Sequence, residues 1–103
     1  MSDSFGLSGI TIEKINTVFA RYPEVETVSL YGSRAKGTFK NGSDIDLAMT
    51  GASLSQDIRS RIAQELDDLL LPYEIDLSIF GELHNDELAA HIRRVGKIFY
   101  TKS

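Results

Sequence analysis

Asp44 and Asp46 stand two residues apart in the stretch Leu30–Met49, LYGSRAKGTFKNGSDIDLAM. Residues two apart on a strand share a face. Both carboxylates are therefore expected to point one way, with Ile45 and Leu47 pointing the other way into apolar packing. Carboxylates this close each disfavour ionisation of the other, and a cation between them removes the conflict. A donor set of oxygen alone suits a hard ion such as Mg²⁺, which binds through a few carboxylates plus substrate phosphates. A third candidate is Asp76, set between Ile75 and Leu77 in YEIDLSIF, residues 73–80. If that strand lies beside the Asp44 strand, three carboxylates gather on one sheet face. Without a cation, such a cluster costs several kcal/mol in repulsion and desolvation. Two Mg²⁺ ions about 3.5–4 Å apart would relieve it and clamp an in-line displacement at phosphorus.

Gly32 and Ser33 are read as the other half of the chemistry. Glycine permits a tight turn and a close approach of backbone to ligand. Ser33 is placed to open a one-turn helix, SRAK, closed by Gly37. The unpaired N–H groups at such a start favour anions, so phosphate is expected there, helped by the Ser33 hydroxyl. Arg34 or Lys36 would add charge-assisted contacts. Strand, phosphate turn and paired carboxylates converge on a nucleoside triphosphate bound through metal.

The elements that must position these groups follow from the apolar spacing. Thr11 to Arg21 reads as a helix with Ile12, Ile15, Val18 and Phe19 on one side, ended by Pro23. Val25 to Tyr31 is the first strand. Ser55 is a plausible N-cap for a helix whose inner face is Ile58, Ile62, Leu66, Leu69 and Leu70, with Pro72 stopping it. Tyr73–Phe80 is a strand. Asn85 or Asp86 caps a last helix from about Glu87 to Val95, with Leu88, Ile92 and Val95 inward and Gly96 ending it. Lys97–Thr101, KIFYT, is a short closing strand. The order α-β-(turn helix)-β-α-β-α-β fits an α/β (α+β) domain, a small mixed sheet packed with helices.

The 103 residues predict a single domain, with a loose terminus over about residues 1–9. The chain has no cysteine, which excludes disulfides and thiolate metal sites. No apolar run approaches the roughly 20 residues of a membrane span, and the N-terminal residues lack the pattern of a signal peptide. A cytoplasmic location is the default expectation. The net charge of −4 argues against binding nucleic acid through a broad basic surface, although Arg34, Lys36 and Lys40 form a local basic group.

Gly32-Ser33, ten residues, then Asp44-Ile45-Asp46 resembles the G-S-x10-D-x-D signature of the DNA polymerase beta-like nucleotidyltransferase superfamily, with Asp76 matching its third carboxylate. From about Thr11 to Tyr100, including GSRAKG and GSDIDLA, the chain is similar to the minimal nucleotidyltransferases, the MNT antitoxins paired with HEPN ribonuclease toxins. The resemblance implies a nucleotidyltransferase fold and transfer of AMP from ATP to a hydroxyl with release of pyrophosphate. It implies an acceptor tyrosine on a HEPN toxin, silenced by the modification. Carried over by position, Gly32 and Ser33 hold the triphosphate and Asp44 and Asp46 bind both metals. Asp76 binds the metal nearest the acceptor hydroxyl and can take its proton; Arg34 is a weaker candidate for triphosphate contact. Transferases that act on tRNA, primers or aminoglycosides carry a further domain for the acceptor, so here a separate protein is expected to supply it. Two alternatives use the same fold: an antitoxin that acts by binding alone, and a small-molecule nucleotidyltransferase with a separate acceptor-binding chain.

Several residues have plainer readings. Lys36 and Arg34 serve equally well as solubilising charges. His84 and His91 are set aside as surface or capping residues, and Glu74 as lying beyond the site. Tyr31 and Tyr73 are read as packing aromatics. Arg93, Arg94 and Lys97 complement the dipole of the last helix or touch a partner.

Overall fold

A computed structural model describes residues 5–102. The first helix, α1, spans Gly9–Ala20 and begins two residues earlier than the apolar spacing implies, because the Ser8 hydroxyl accepts the Thr11 N–H as an N-cap. Strand β1 is Thr27–Tyr31, and it runs straight into the one-turn helix α2, Ser33–Lys36, closed by Gly37 in the left-handed region. Strand β2 is Ile45–Thr50, α3 is Gln56–Asp67 and β3 is Ile75–Ile79. A 3-10 turn over Phe80–Glu82 leads to α4, Asp86–Val95, and β4, Lys97–Thr101. The expected order holds, with that turn added.

The four strands form one sheet in the order β3-β2-β1-β4. Strand β1 is antiparallel to β2 and to β4, whereas β2 and β3 are parallel, joined by the α3 crossover. The two faces divide by composition. Val28, Leu30, Ile45, Leu47, Met49, Leu77 and Ile79 are buried with Ile15, Val18 and Phe19 of α1 and Ile62 and Leu66 of α3. Tyr31 and Ala48 are buried on the opposite face, beneath Ile92 of α4. Both outer strands have a carbonyl covered by a helix side chain. Asn16 donates to the Phe99 carbonyl of β4 at 3.2 Å, and Arg59 to the Leu77 carbonyl of β3 at 3.4 Å.

Three expectations are corrected. Residues 5–9 are not a loose terminus: Leu7 is fully buried in the main core, and Phe5 packs against Phe99. Residues 1–4 of that stretch lie outside the described residues. Helix α3 ends at Asp67, well before Pro72, and Leu70 is 88% exposed at φ 55° instead of facing inward; Leu69 is partly buried. The left-handed turn at Leu70 swings the chain off the helix axis, which removes Leu70 from the apolar stripe. Gly96 ends α4 with extended backbone, not a left-handed cap. It is small because a Cβ there would sit 2.4 Å from the Ile92 carbonyl oxygen.

Candidate functional site

The sheet register assembles the site. Asp46 is directly opposite Tyr31 on one side and Asp76 on the other. Cross-strand partners share a face, so Asp46 and Asp76 lie side by side on the face that α4 partly covers. Asp44 sits one residue before β2, not within it, at the mouth of the loop from α2. It remains close enough for its charge to act on Asp46. Ile45 and Leu47 are fully buried on the other face, as the alternation requires. Asp46 is half-buried, and Asp44 and Asp76 are exposed.

Asp46 titrates above the ordinary carboxylate value. Burial is the first cause, followed by the negative charges of Asp76 and Asp44, while His91 pulls weakly the other way. Tyr31 is also raised, chiefly by burial, opposed by a hydrogen bond with Ser78 and reinforced by Asp76 and Asp46. The three carboxylates therefore share one electrostatic neighbourhood. Among the described residues no group of three or more His, Cys, Asp or Glu side chains stands close enough to hold a metal ion. Oxygen-only donors, one of them raised by burial and by its neighbours' charges, suit a hard divalent cation.

The turn after β1 is tied to the same carboxylate. Gly32 has φ 74° and ψ −153°, a conformation open essentially to glycine alone. A Cβ there would lie 2.3 Å from Asp46 Oδ2. The absence of a side chain thus lets the turn lie against Asp46. Ser33 follows as the first residue of α2, where leading N–H groups have no partner inside the helix.

Arg34 is placed differently from the expected triphosphate contact. Its side chain is the one charged group buried among the described residues, at 3% exposure. Nε and Nη2 donate to the Ser43 carbonyl at 3.1 and 2.9 Å, and Nη1 to the Phe5 carbonyl at 2.8 Å. Its guanidinium also stacks on the rings of Phe39 and Tyr73. With its donors so engaged, Arg34 clamps the segment before Asp44 onto α2. Tyr73 is a packing aromatic in this sense. Lys36 and Lys40 are exposed on the α2 side of the loop.

Two neighbours of the site were not expected. His91, on α4, meets Tyr31 edge-to-face with ring centroids 6.4 Å apart, and its charge reaches Asp46. The signal was present: His91 lies three residues after Leu88 and beside Ile92, on the border of the helix's inward face. Tyr31 is buried under that helix, in register with Asp46. His84 is exposed before α4, and Glu74 is exposed one residue ahead of β3.

Residues 13–103 match the family described as Polymerase beta, Nucleotidyltransferase. No curated protein matches the chain. Solved structures do. A toxin-antitoxin structure with AMP-PNP superposes with a TM-score of 0.72 at 26% identity, covering 89% of this chain and 74% of that one. The toxin-antitoxin MntA-HepT gives 0.69 at 23% identity, covering 92% and 74%. A tri-AMPylated Shewanella oneidensis HEPN toxin in complex with MNT antitoxin gives 0.67 at 23%, covering 90% and 71%.

Proposed function

Because this chain belongs to the polymerase beta nucleotidyltransferase family, we propose that it transfers AMP from ATP to a hydroxyl of a partner protein, a tyrosine of a HEPN toxin, and acts as its antitoxin. The observation that carries the chemistry is the register of Asp46 beside Asp76, with Gly32 packed against the same carboxylate. The likeness to MNT antitoxins, including one in complex with an AMPylated HEPN toxin, supports the acceptor.

In this reading Asp44, Asp46 and Asp76 would hold Mg²⁺, as two ions. When bound, the metal neutralises the triphosphate and makes the α-phosphorus more electrophilic. The chain's own groups do the rest. The Gly32-Ser33 turn offers backbone N–H groups and the Ser33 hydroxyl to the phosphates. Asp76, the most exposed side of the pair with Asp46, accepts the proton of the incoming hydroxyl. The hydroxyl oxygen forms the new bond to the α-phosphorus as the bond to the β-phosphate oxygen breaks, and pyrophosphate leaves. Arg34 acts at one remove, by holding the segment that presents Asp44. No helix among the described residues is long and apolar enough to cross a membrane, and the proposed place of action is the cytoplasm.

The test is Asp44→Asn/Asp46→Asn. Under the catalytic reading this variant folds and binds the HEPN protein but transfers no labelled AMP to it and no longer protects cells from the toxin. Retained protection without transfer would establish neutralisation by binding alone.

A further inference from the structure

Phe5 stands in the left-handed region at φ 57°, and Gly6 follows it there at φ 73°. An aromatic residue rarely holds that conformation unless its surroundings fix it. Three anchors hold this segment. The Phe5 ring packs on Phe99, with centroids 6.2 Å apart. Leu7 is fully buried in the main core. The Phe5 carbonyl accepts from Arg34 Nη1 at 2.8 Å. Gly6 lies close beside the same group: a Cβ there would overlap the Phe39 ring and lie 2.9 Å from Nη1. The segment precedes residues 13–103, the span that matches the family.

Arg34 is buried, and among the described residues no carboxylate pairs with it. A buried cation so placed depends on every acceptor it has. The Ser43 carbonyl takes Nε and Nη2, the Phe5 carbonyl takes Nη1, and the Phe39 and Tyr73 rings lie against the guanidinium. A guanidinium is a rigid planar fork, so an acceptor on Nη1 sets the direction of the Nε–Nη2 edge. That edge holds the Ser43 carbonyl, which shares a peptide plane with the Asp44 nitrogen. We propose that Phe5–Leu7 is a strap that positions Asp44 for nucleotidyl transfer. Leu7 and the Phe5 ring anchor the strap to the core, its carbonyl orients Arg34, and Arg34 orients the peptide that leads into Asp44. The inference rests on the catalytic reading above and adds to it a segment that acts through Arg34.

The experiment compares Phe5→Pro with Phe5→Asn. Both take the ring off Phe99. Proline is locked at φ about −65° and cannot aim its carbonyl at Arg34 as Phe5 does, whereas asparagine tolerates the left-handed region. The first readout is amide exchange without metal or nucleotide. The Lys40 and Ser43 amides bond within the loop, to the Ser43 hydroxyl and the Lys40 carbonyl. Phe5→Pro should speed their exchange about tenfold and leave the amides of β1 unchanged; Phe5→Asn should leave both protected. The second readout is AMP transfer to the HEPN protein, well below the melting temperature. Phe5→Pro should lower kcat about tenfold or more with KM for the HEPN protein unchanged, while Phe5→Asn stays within about twofold of the parent. Arg34→Lys lacks the fork and should lower kcat alone; adding Phe5→Pro to it should cost little more, because both break one chain of contacts. Gly6→Ala drives a methyl into Phe39 from the same strap; it should repeat the Phe5→Pro pattern, and it decides the matter if Phe5→Pro does not fold. Unchanged kcat in Phe5→Pro overturns the positioning role, whatever the loop exchange, and leaves the proposed function standing. Equal losses in Phe5→Pro and Phe5→Asn, or faster exchange throughout β1, make the segment a stabiliser of the core and overturn the role as well. A parent chain that transfers no AMP overturns the proposed function and the positioning role with it.

Discussion

Asp46 stands in a position that opposes its own charge. Folding raises its pKa above the ordinary 3.8, through burial and through Asp76 and Asp44. A carboxyl raised by folding leaves stability untouched below 3.8, where both states are protonated. It lowers stability progressively as pH rises to the folded value, because the native state holds the proton longer. Without metal, Asp46→Asn should therefore melt above the parent at neutral pH. The shift is expected to be upward and small, because Asp46 is only half-buried and solvent screens its neighbours' charges. Differential scanning calorimetry should show the gain vanish as pH falls toward 3.8, while transfer activity is lost at every pH. At Gly32 the sign reverses. Gly32→Ala forces a side chain into a glycine-only conformation at a cost of about 1–3 kcal/mol and drives it into Asp46. Urea unfolding should register the loss, and nucleotide binding should fail. Arg34→Ala leaves the Ser43 and Phe5 carbonyls without their donor, a loss of about 2–4 kcal/mol by the same measurement. The shared face of Asp46 and Asp76 was legible in the sequence because alternation on strands sets side-chain direction two residues at a time; Asp44, one residue before β2, lies outside that pattern. The burial of Arg34 was not legible. Its partners come from Phe5 and Ser43, on either side of it in the chain, and no local pattern encodes a guanidinium turned toward carbonyls that distant.

At the level of elements, the apolar spacing located α1, α3, α4 and the four strands; the 3-10 turn over Phe80–Glu82 was missed, and the other errors fall at ends. Ser55 and Asn85 cap α3 and α4 as expected, each side chain accepting an N–H three residues on. Ser55→Ala should cost about 1 kcal/mol in a urea melt. The end of α3 was misplaced because Leu69 and Leu70 continue the hydrophobic spacing, and spacing alone does not show that the chain has already turned. The C-terminal end of α1 is fastened to α3 instead: the Tyr22 hydroxyl and Arg21 both donate to Glu65. Among the described residues strand β3 has one neighbour in the sheet, β2, and it carries Asp76. Metal and nucleotide bound across Asp46 and Asp76 would staple this outer strand to β2. Amide exchange at Ile75–Ile79 should slow on adding Mg²⁺ with ATP, and should not slow in Asp76→Asn.

At the level of the whole molecule, ligand binding to the native state raises its stability by mass action. With free ligand at about a hundred times its dissociation constant, the gain is about 2.7 kcal/mol. Mg²⁺ and ATP together should therefore raise the melting temperature by several degrees, and each alone by less, since in the proposed reading the carboxylates and the phosphates would both hold the ions. The class of fold was readable from the order of elements, but the sheet order was not, because KIFYT carries no mark of which strand it will join. That strand lands on β1, so among the described residues β3 and β4 are the outer strands of the sheet, the position from which fibrils propagate by adding strands. Asn16 and Arg59 cover one carbonyl on each rim and so act as stoppers against stacking copy upon copy. A chain lacking both, Asn16→Ala/Arg59→Ala, should form thioflavin-positive fibres at concentrations where the parent stays clear.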